Sequence, residues 1–300
     1  MNAIEIRNLS KSFRGMYAVN NLNMTVPVGA IYGFIGENGS GKSTTEKLVC
    51  GHLVPDGGEI KLFGKDYKDA GVRVRVGALI ENAGCFPSSS VYQNLMMQAI
   101  NLGLENPDAE IARVLKIVRM ENAAKTKFKR CSLGMKQRIG IAMALLGDPA
   151  LLILDEPING LDTDGMKIMR EILVEITTTY GCTVLISSHI LGELEKIATH
   201  YGIIRQGKMI QELTAKEMEA RARVFVSIKT KDMQGAKTTL KAKYEKVLEE
   251  NGYLRVYDVN DVEAIVDYLI KNGHVVNEIK KNKIGLEEYY VELMSKKENE

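Results

Sequence analysis

Apolar residues change their spacing several times along this chain, and each change predicts a different kind of structure. Short apolar runs at 30–35, 151–154 and 183–186 are typical of strands buried on both faces of a parallel sheet. The apolar residues of 166–178 recur with helical spacing, which places a helix between the last two strands. Because strand–helix–strand units produce parallel sheets, the pattern predicts an α/β fold with a mostly parallel sheet.

The segments around this core follow other patterns. Alternating apolar and polar residues near the N-terminus favour an antiparallel edge to the sheet. From about 85 to 147 the spacing becomes helical, and Leu95, Met96, Ala99 and Ile100 share one predicted helix face. This stretch is therefore predicted as a helical insertion. The additional strands are predicted at 4–6, 22–26, 59–63 and 73–80.

The pattern breaks near Arg221, and shorter strands and helices follow. Asn251-Gly252 separates two of these strands and is a strong signal for a two-residue hairpin turn. We therefore expect two domains, a larger one over 1–220 and a small α+β domain over 221–300 with a ferredoxin-like arrangement. In the small domain, strands are predicted at 224–228, 247–250, 253–257 and 274–279, and helices at 233–244, 262–271 and 286–294.

Composition and charge argue against several classes of protein. The formal net charge is +2 and no basic stripe is present, so we expect no nucleic-acid partner. The four cysteines lie far apart and form no C-x-x-C pair, which favours reduced thiols in a cytoplasmic protein over a disulfide framework or a zinc site. No apolar stretch approaches the roughly 20 residues that a membrane-spanning helix needs, so a membrane role would require another polypeptide.

The segment from Gly36 to Ser43 fits the phosphate-binding motif G-x-x-x-x-G-K-[ST], between a predicted strand and a predicted helix. Glycines let consecutive backbone N–H groups turn towards an anion, and the helix N-terminus adds partial positive charge. Lys42 can reach the β- and γ-phosphates, and the Ser43 hydroxyl can bind Mg²⁺. The motif therefore predicts a site for a nucleoside triphosphate and Mg²⁺. The predicted nucleotide contacts are Gly36, Asn38, Gly39, Ser40, Gly41, Lys42, Ser43 and Thr44.

Two carboxylates, Asp155 and Glu156, follow the apolar run at 151–154. Ligands of parallel sheets bind at the carboxyl ends of the strands, where these side chains are expected. Asp155 is predicted to hold Mg²⁺ through water, and Glu156 to be the general base that orients or deprotonates attacking water. In a chain without a phosphate-binding loop, the same pair could simply cap the next helix.

The segment 131–138 enters a predicted helix with Ser132 as its cap. With the motifs above, it resembles the nucleotide-binding subunits of ATP-binding cassette (ABC) transporters over about residues 1–215. The resemblance implies that Ser132 and Gly134 meet the γ-phosphate of ATP held by a second copy of the chain. The segment departs from the usual signature, Leu-Ser-Gly-Gly-Gln, at Cys131, Leu133 and Met135.

The family resemblance implies roles for further residues. Phe13 lies where an aromatic ring stacks on adenine, with Tyr17 as the alternative. Asp162 closes the segment 157–162, with which one subunit touches the other's site. His189 follows a predicted strand, where the family has a histidine that contacts the γ-phosphate and orients water.

Glu81 follows the predicted strand at a position where the family usually has glutamine. Two unit charges 4 Å apart interact by about 4 kcal/mol at an effective dielectric constant of 20, so an unbonded carboxylate near phosphate would be unfavourable. We therefore expect Glu81 to face Mg²⁺ or its water; the alternative is that it points away and only links two subdomains. Residues 77–81 and 132–138 resemble the ATPase subunits of bacitracin-resistance and lantibiotic self-immunity exporters.

The resemblance implies Mg²⁺-dependent ATP hydrolysis by a head-to-tail homodimer. It also implies a separate membrane permease, docked around residues 82–100, and a place on the inner face of the cell membrane. The subgroup implies export of bacitracin-type or lantibiotic peptides, with drugs, lipids or ions as alternative cargoes. A non-transport ABC ATPase acting on ribosomes or DNA is the alternative class.

Overall fold

The structure, a computed structural model, describes residues 1–221, 224–250, 252–257, 259, 261–283 and 285–296. It divides into two compact units, Met1–Ala215 and Lys216–Glu300. Each unit has an apolar core of its own: one contains Phe34, Leu151 and Leu185, and the other contains Val226, Leu254 and Leu269.

The first unit is an α/β structure. Its strands are β1 (Asn2–Phe13), β2 (Met16–Pro27), β3 (Ile31–Ile35), β4 (Gly57–Leu62), β5 (Lys65–Asp66), β6 (Val76–Leu79), β7 (Leu151–Asp155), β8 (Thr183–Ser188), β9 (His200–Arg205) and β10 (Lys208–Thr214). Its helices are α1 (Lys42–Val49), α2 (Ala70–Arg73), α3 (Val91–Asn101), α4 (Pro107–Ile117), α5 (Leu133–Leu145), α6 (Thr163–Thr178) and α7 (Leu191–Leu194), with short 3₁₀ turns at Glu121–Ala123 and Phe128–Arg130.

The central sheet of this unit has six strands in the order β10-β9-β3-β8-β7-β6. β3 pairs in parallel with β8 and β9, and β7 pairs in parallel with β6 and β8. Every residue of β3 and β8 is buried, as expected for strands covered on both faces. The predicted parallel sheet is therefore confirmed, and its carboxyl edge gathers the residues that follow β3, β7 and β8.

A second sheet, in the order β2-β1-β4-β5, is antiparallel throughout and forms the predicted edge.

One predicted strand of the central sheet is wrong in its extent. Residues 73–80 are not one strand, because Ala70–Arg73 is the helix α2, capped by Asp69, whose side chain accepts a hydrogen bond from Val72 N. Only Val76–Leu79 is a strand, and it lies at the edge of the central sheet.

The helical insertion consists of α3, α4 and α5, which contact one another. α3 begins at a capping box in which Ser90 and Gln93 satisfy each other's backbone N–H groups. Its buried face contains Leu95 and Ala99, but Ile100 is 64% exposed. The predicted four-residue apolar face is thus only partly buried: Leu95 and Ala99 are buried, Met96 is half-buried and Ile100 is exposed.

From Ala215 onwards the elements are α8 (Ala215–Arg221), β11 (Val224–Thr230), α9 (Met233–Lys241), β12 (Val247–Glu250), β13 (Tyr253–Tyr257), α10 (Val262–Lys271), β14 (Val276–Lys283) and α11 (Leu286–Lys296). Between α8 and α11 the order is β-α-β-β-α-β with a four-stranded antiparallel sheet, β12-β13-β11-β14, which is the predicted ferredoxin-like arrangement. β12 and β13 pair as a hairpin through Glu250 and Tyr253, while the predicted turn residue Asn251 lies outside the described residues.

Candidate nucleotide-binding site

The predicted phosphate-binding loop connects β3 to α1, and its shape requires glycine. Gly41 has a φ of 110°, and a Cβ atom there would lie 2.4 Å from the carbonyl oxygen of Ala18. A Cβ atom on Gly36 would lie 2.6 Å from the carbonyl oxygen of Ile204. The loop is therefore pressed between β2 and β9, at a spacing that only glycine permits.

Several hydrogen-bond donors meet at this loop. Gly41 caps α1 without a side-chain hydrogen bond, so side chains leave the first N–H groups of the helix uncovered. The Lys42 side chain is 6% exposed, and its ammonium group donates to the carbonyl oxygens of Gly36 (2.6 Å) and Glu37 (3.1 Å). The buried hydroxyl of Ser40 has no hydrogen-bond partner among the described residues. Backbone, ammonium and hydroxyl groups so arranged suit an anion such as phosphate.

The carboxyl ends of β7 and β8 supply the acidic side of the site. Asp155 pairs with Ser187 in the sheet register, and its Oδ1 atom accepts a hydrogen bond of 2.8 Å from the Ser187 hydroxyl. The backbone N–H of Glu156 donates to the same hydroxyl oxygen at 3.2 Å. Glu156 has a φ of 50°, so the chain turns sharply after the strand. Ser187 thereby holds both predicted carboxylate residues in place.

Glu156 and His189, both predicted to be catalytic, lie in contact. The Nδ1 atom of His189 is 2.7 Å from Oε2 of Glu156. The other carboxylate oxygen of Glu156, Oε1, is 3.9 Å from the Lys42 ammonium nitrogen. The phosphate-binding loop, the predicted base and the predicted histidine therefore form one continuous group at the edge of the sheet.

The residues at this edge fit a magnesium ion bound together with phosphate. Asp155 offers a carboxylate and Ser43, in the first turn of α1, offers a hydroxyl, both of which are hard oxygen ligands. Among the described residues, no group of three or more histidine, cysteine, aspartate or glutamate side chains could hold a metal on its own. Magnesium needs none, because it is held by one or two carboxylates together with water and substrate phosphates.

A further carboxyl group, that of Glu46 on α1, lies next to this edge. Glu46 is fully buried, and neither of its carboxyl oxygens has a hydrogen-bond partner. Burial, and then the nearby charge of Asp155, raise the pKa of Glu46 well above its usual value, while the Ser187 hydroxyl and then the charge of Lys42 oppose this shift. Together with the Ser40 hydroxyl, these oxygens are the buried side-chain polar atoms that the described part of the chain leaves without a hydrogen-bond donor or acceptor.

Ser132, Gly134 and Asp162 are brought together elsewhere on the same unit. The Ser132 hydroxyl caps α5 by accepting from Met135 N at 3.3 Å, and the Asp162 carboxylate caps α6 by accepting from Gly165 N at 2.9 Å. All three predicted residues line one shallow pocket, which contains no residue of the phosphate-binding loop. Within one chain, the predicted ATP contacts therefore fall into two separate groups.

Phe13 and Tyr17, the two candidates for adenine stacking, flank the turn between β1 and β2. Both rings are accessible, at 45% and 61% exposed. The hairpin is anchored by Asp56, whose carboxylate accepts from the Lys11 ammonium (2.7 Å) and the Ser12 N–H (2.7 Å). These hydrogen bonds, that of Lys11 first, lower the pKa of Asp56 to about 2. The geometry offers either ring as a stacking surface.

Glu81 is not part of the group around Asp155. It has a φ of 63°, and its carboxylate Oε1 lies 2.6 Å from the ammonium nitrogen of Lys47 on α1. The side chain is 62% exposed. In this arrangement Glu81 links the loop after β6 to α1, and a contact with Mg²⁺ would require the side chain to leave Lys47.

Sequence reasoning missed three residues that shape the site: Glu46, Lys47 and Ser187. The sequence could have indicated a role for Glu46, because this acidic residue follows Ser43 by one helical turn and precedes the core residues Leu48 and Val49. Nothing in the sequence indicates the roles of Lys47 and Ser187, because their partners Glu81 and Asp155 are distant in the chain.

A loop of this geometry between a parallel strand and a helix, with carboxylates on the neighbouring strands, defines a P-loop ATPase. The fold is similar to a solved dimeric ATP-binding cassette bound to ADP and phosphate in a post-hydrolysis state, with a TM-score of 0.65 and 21% identity over 71% of this chain and 98% of that chain. This likeness concerns the fold.

The sequence comparisons identify the family. The ABC transporter family model matches residues 19–159. The chain is 35% identical to the bacitracin transport ATP-binding protein of Bacillus licheniformis, over 97% of both chains. It is 41% identical to the lantibiotic transport ATP-binding protein of Streptococcus pyogenes, over 70% of this chain and 90% of that protein. The chain belongs to the ABC transporter ATP-binding proteins and is an ABC ATPase. None of its described helices is long and apolar enough to cross a membrane.

Proposed function

We propose that this chain is the Mg²⁺-dependent ATPase subunit of an exporter for bacitracin-type or lantibiotic peptides, working with a separate membrane permease. The observation that supports hydrolysis is the contact between Glu156 and His189, 2.7 Å apart and next to Lys42 of the phosphate-binding loop. The observation that supports the cargo is the similarity to bacitracin and lantibiotic transport proteins.

The phosphate-binding loop binds and orients the triphosphate. The N–H groups at the start of α1 and the Lys42 ammonium group face the β- and γ-phosphates. When ATP binds, hydrogen bonds to the phosphates replace those that Lys42 donates to Gly36 O and Glu37 O. The Ser40 hydroxyl gains the partner that it lacks within the fold.

Ser43 and Asp155 are the residues that would hold Mg²⁺, Ser43 through its hydroxyl and Asp155 through water. When bound, the metal neutralises charge on the β- and γ-phosphates. The hydrogen bond from Ser187 keeps the Asp155 carboxylate in one orientation.

Glu156 orients the attacking water and accepts its proton. The carboxylate is fixed between His189 Nδ1 at 2.7 Å and Lys42 Nζ at 3.9 Å, so it is already aimed at the end of the phosphate-binding loop. An ionised Glu156 can only accept hydrogen bonds, so His189 donates from Nδ1 and keeps Nε2 for a second partner. His189 thus acts as a contact between the base and the γ-phosphate side of the site.

A complete site takes residues from two chains arranged head-to-tail. Ser132, Gly134 and Asp162 line a pocket of their own, which contains no residue of the phosphate-binding loop of the same chain. The N-terminus of α5 presents N–H groups there, which suits a phosphate held by the partner. ATP then binds between the chains and stabilises the dimer, and hydrolysis releases it.

The permease is proposed to dock beside the helical insertion. A groove between the central sheet and α3 and α5 is lined by Val74, Asn82, Gln98 and Leu102, among others. Val74, which lines the groove, is 76% exposed, and Ile100 on α3 is 64% exposed. Exposed apolar surface of this kind suits a protein–protein contact. The groove includes Asn82 and Gln98 from the stretch 82–100 to which the family resemblance assigns the permease contact.

The test is genetic complementation in a host that lacks this gene. Wild type, Glu156→Gln and a surface control, Glu59→Gln, are restored separately, and sensitivity to bacitracin and to a panel of lantibiotics is recorded. Protection by wild type and Glu59→Gln, but not by Glu156→Gln, is the expected result. Equal sensitivity of all strains would contradict the peptide cargo and would move the search to drugs, lipids and ions.

A further inference from the structure

Glu46 lies beneath the residues that are predicted to hold the metal. It follows Ser43 by one helical turn on α1, so the two side chains project from the same face of the helix. The Asp155 carboxylate and the Ser187 hydroxyl, which donates to Asp155, are both close enough to act on the Glu46 carboxyl group. Glu46 is therefore a buried neighbour of the acidic edge of the sheet.

The Glu46 carboxyl group is unsatisfied within the fold. It is 0% exposed, and its polar neighbours are Asp155 and Ser187. The single hydroxyl proton of Ser187 is donated to Asp155 at 2.8 Å, so no group among the described residues donates a hydrogen bond to either Glu46 oxygen. The Lys42 ammonium group gives its hydrogen bonds to Gly36 O and Glu37 O instead. A buried polar group without a partner destabilises the folded state, and an apolar side chain at this place would not. A ligand group that donates to Glu46 would remove the penalty.

We propose that Glu46 is a positioning residue of the Mg²⁺ site, whose carboxyl oxygen accepts a hydrogen bond from water bound to the metal. This inference rests on the proposed Mg²⁺·ATP function. It adds to Ser43 and Asp155 a third oxygen-bearing side chain, supplied by the buried face of α1.

Burial and metal chemistry favour contact through water over direct binding. The Glu46 carboxyl group is 0% exposed, whereas Ser43 and Asp155 are half-buried and reach the open edge of the sheet. Magnesium keeps several of its waters in proteins, and carboxyl groups outside the ligand shell commonly orient the groups inside it.

The experiment measures how much Mg²⁺ strengthens nucleotide binding, without turnover. The full-length chain is titrated with the non-hydrolysable ATP analogue AMP-PNP by calorimetry, once in Mg²⁺ and once in EDTA. The ratio of the two dissociation constants is the contribution of the metal. The variants are Glu46→Leu, which removes the oxygens, and Glu46→Gln, which keeps one acceptor oxygen. Glu193→Gln is the matched control, because Glu193 is a buried carboxylate with its own partners, Arg170 and Lys196.

Glu46→Leu should reduce the ratio by about 10–100-fold, the usual loss when a residue that orients metal ligands is removed. Glu46→Gln should retain most of the ratio, and Glu193→Gln all of it. If Glu46→Leu changes both dissociation constants by the same factor, the ratio is preserved and Glu46 is only structural. If wild type itself shows no effect of Mg²⁺, the proposed metal dependence fails, and this inference fails with it.

Thermal unfolding in EDTA, without nucleotide, tests the premise separately. Glu46→Leu should melt higher than wild type, by about 2–4 °C or more for a unit of this size, because an unpaired buried carboxyl group is removed. Glu193→Gln should melt lower, because Arg170 and Lys196 lose their partner. A lower melting temperature for Glu46→Leu would show that the carboxyl group is satisfied in the folded chain and would overturn the proposal.

Discussion

His189 reaches Glu156 across the carboxyl ends of two neighbouring strands, with its Nδ1 atom 2.7 Å from the Oε2 atom. Glu156 follows β7 and His189 follows β8, and the parallel register of these strands sets the distance. The backbone N–H of Glu156 is tied to Ser187, so the turn after β7 has little freedom to move the carboxylate away. The position of this predicted base is thus a consequence of sheet geometry.

Replacing Glu156 by glutamine should abolish most ATP turnover and leave ATP binding intact. Glutamine keeps the shape of the side chain but cannot accept a proton, so the rate should fall by about 10²–10⁴-fold. The measurements are the steady-state release of phosphate and size-exclusion chromatography in ATP and Mg²⁺. We expect an ATP-bound dimer that persists. The exposed Glu59→Gln variant serves as the control, and a Glu156→Gln protein that remained monomeric would contradict the cycle.

Replacing Lys42 by alanine should weaken ATP binding. A hydrogen bond to a charged group contributes about 1.5–3 kcal/mol, which corresponds to roughly 10–100-fold in affinity. Lys65, which is exposed in the short strand β5, gives a matched control in Lys65→Ala. Calorimetric titration with ATP compares the two variants. An unchanged dissociation constant for Lys42→Ala would contradict the prediction that this loop binds the phosphates of ATP.

The features that sequence predicted best are those encoded by neighbouring residues. The phosphate-binding loop, the apolar strands around Leu151 and Val184, and the hairpin of β12 and β13 each depend on local spacing, and each is observed. The features that the sequence did not predict depend on contacts between residues that are distant in the chain. The ion pair of Lys47 with Glu81 joins distant segments. β10 is an edge strand with mostly half-buried residues, so it lacks the alternation that would have revealed it.

Two substitutions test whether Glu81 contacts the metal or only links the loop after β6 to α1. Glu81→Gln should raise the Mg²⁺ concentration that gives half-maximal ATPase activity, because the variant loses a carboxylate available to the metal or its water. Lys47→Gln removes the same ion pair from its other side and frees the Glu81 carboxylate, so it should lower that concentration or leave it unchanged. This pair is exposed, so its loss should cost at most about 1 kcal/mol of stability. Identical Mg²⁺ curves for the two variants would assign Glu81 to the link alone.

Asp56 should make the anchoring of the β1–β2 hairpin sensitive to acid. Its pKa is lowered to about 2 by Lys11 and Ser12, against about 3.9 in an unfolded chain. A depressed pKa stabilises the fold above the unfolded value, and that contribution is lost as the pH falls through about 2. Wild type should therefore melt above Asp56→Asn near pH 6, and the difference should vanish towards pH 2. A constant difference across this range would exclude Asp56 as the titrating anchor.

Mixing two inactive variants tests whether each ATP site is shared between chains. Lys42→Ala damages the phosphate-binding loop. Gly134→Asp places a negative charge where the partner's γ-phosphate is expected, and it leaves the Ser132 cap of α5 in place. In a head-to-tail dimer of one chain of each kind, one site receives both defects and the other receives none.

At an ATP concentration near the wild-type dissociation constant, each variant alone should therefore have little activity, whereas an equimolar mixture should recover up to about one quarter of wild-type ATPase activity. Half of the dimers in the mixture contain one chain of each kind, and each of these has one intact site out of two. Separate groups for Lys42 and for Gly134 within one chain are the structural reason to expect this result. If both groups acted within the same chain, every chain in the mixture would carry one defect, and the mixture would be as inactive as its parts.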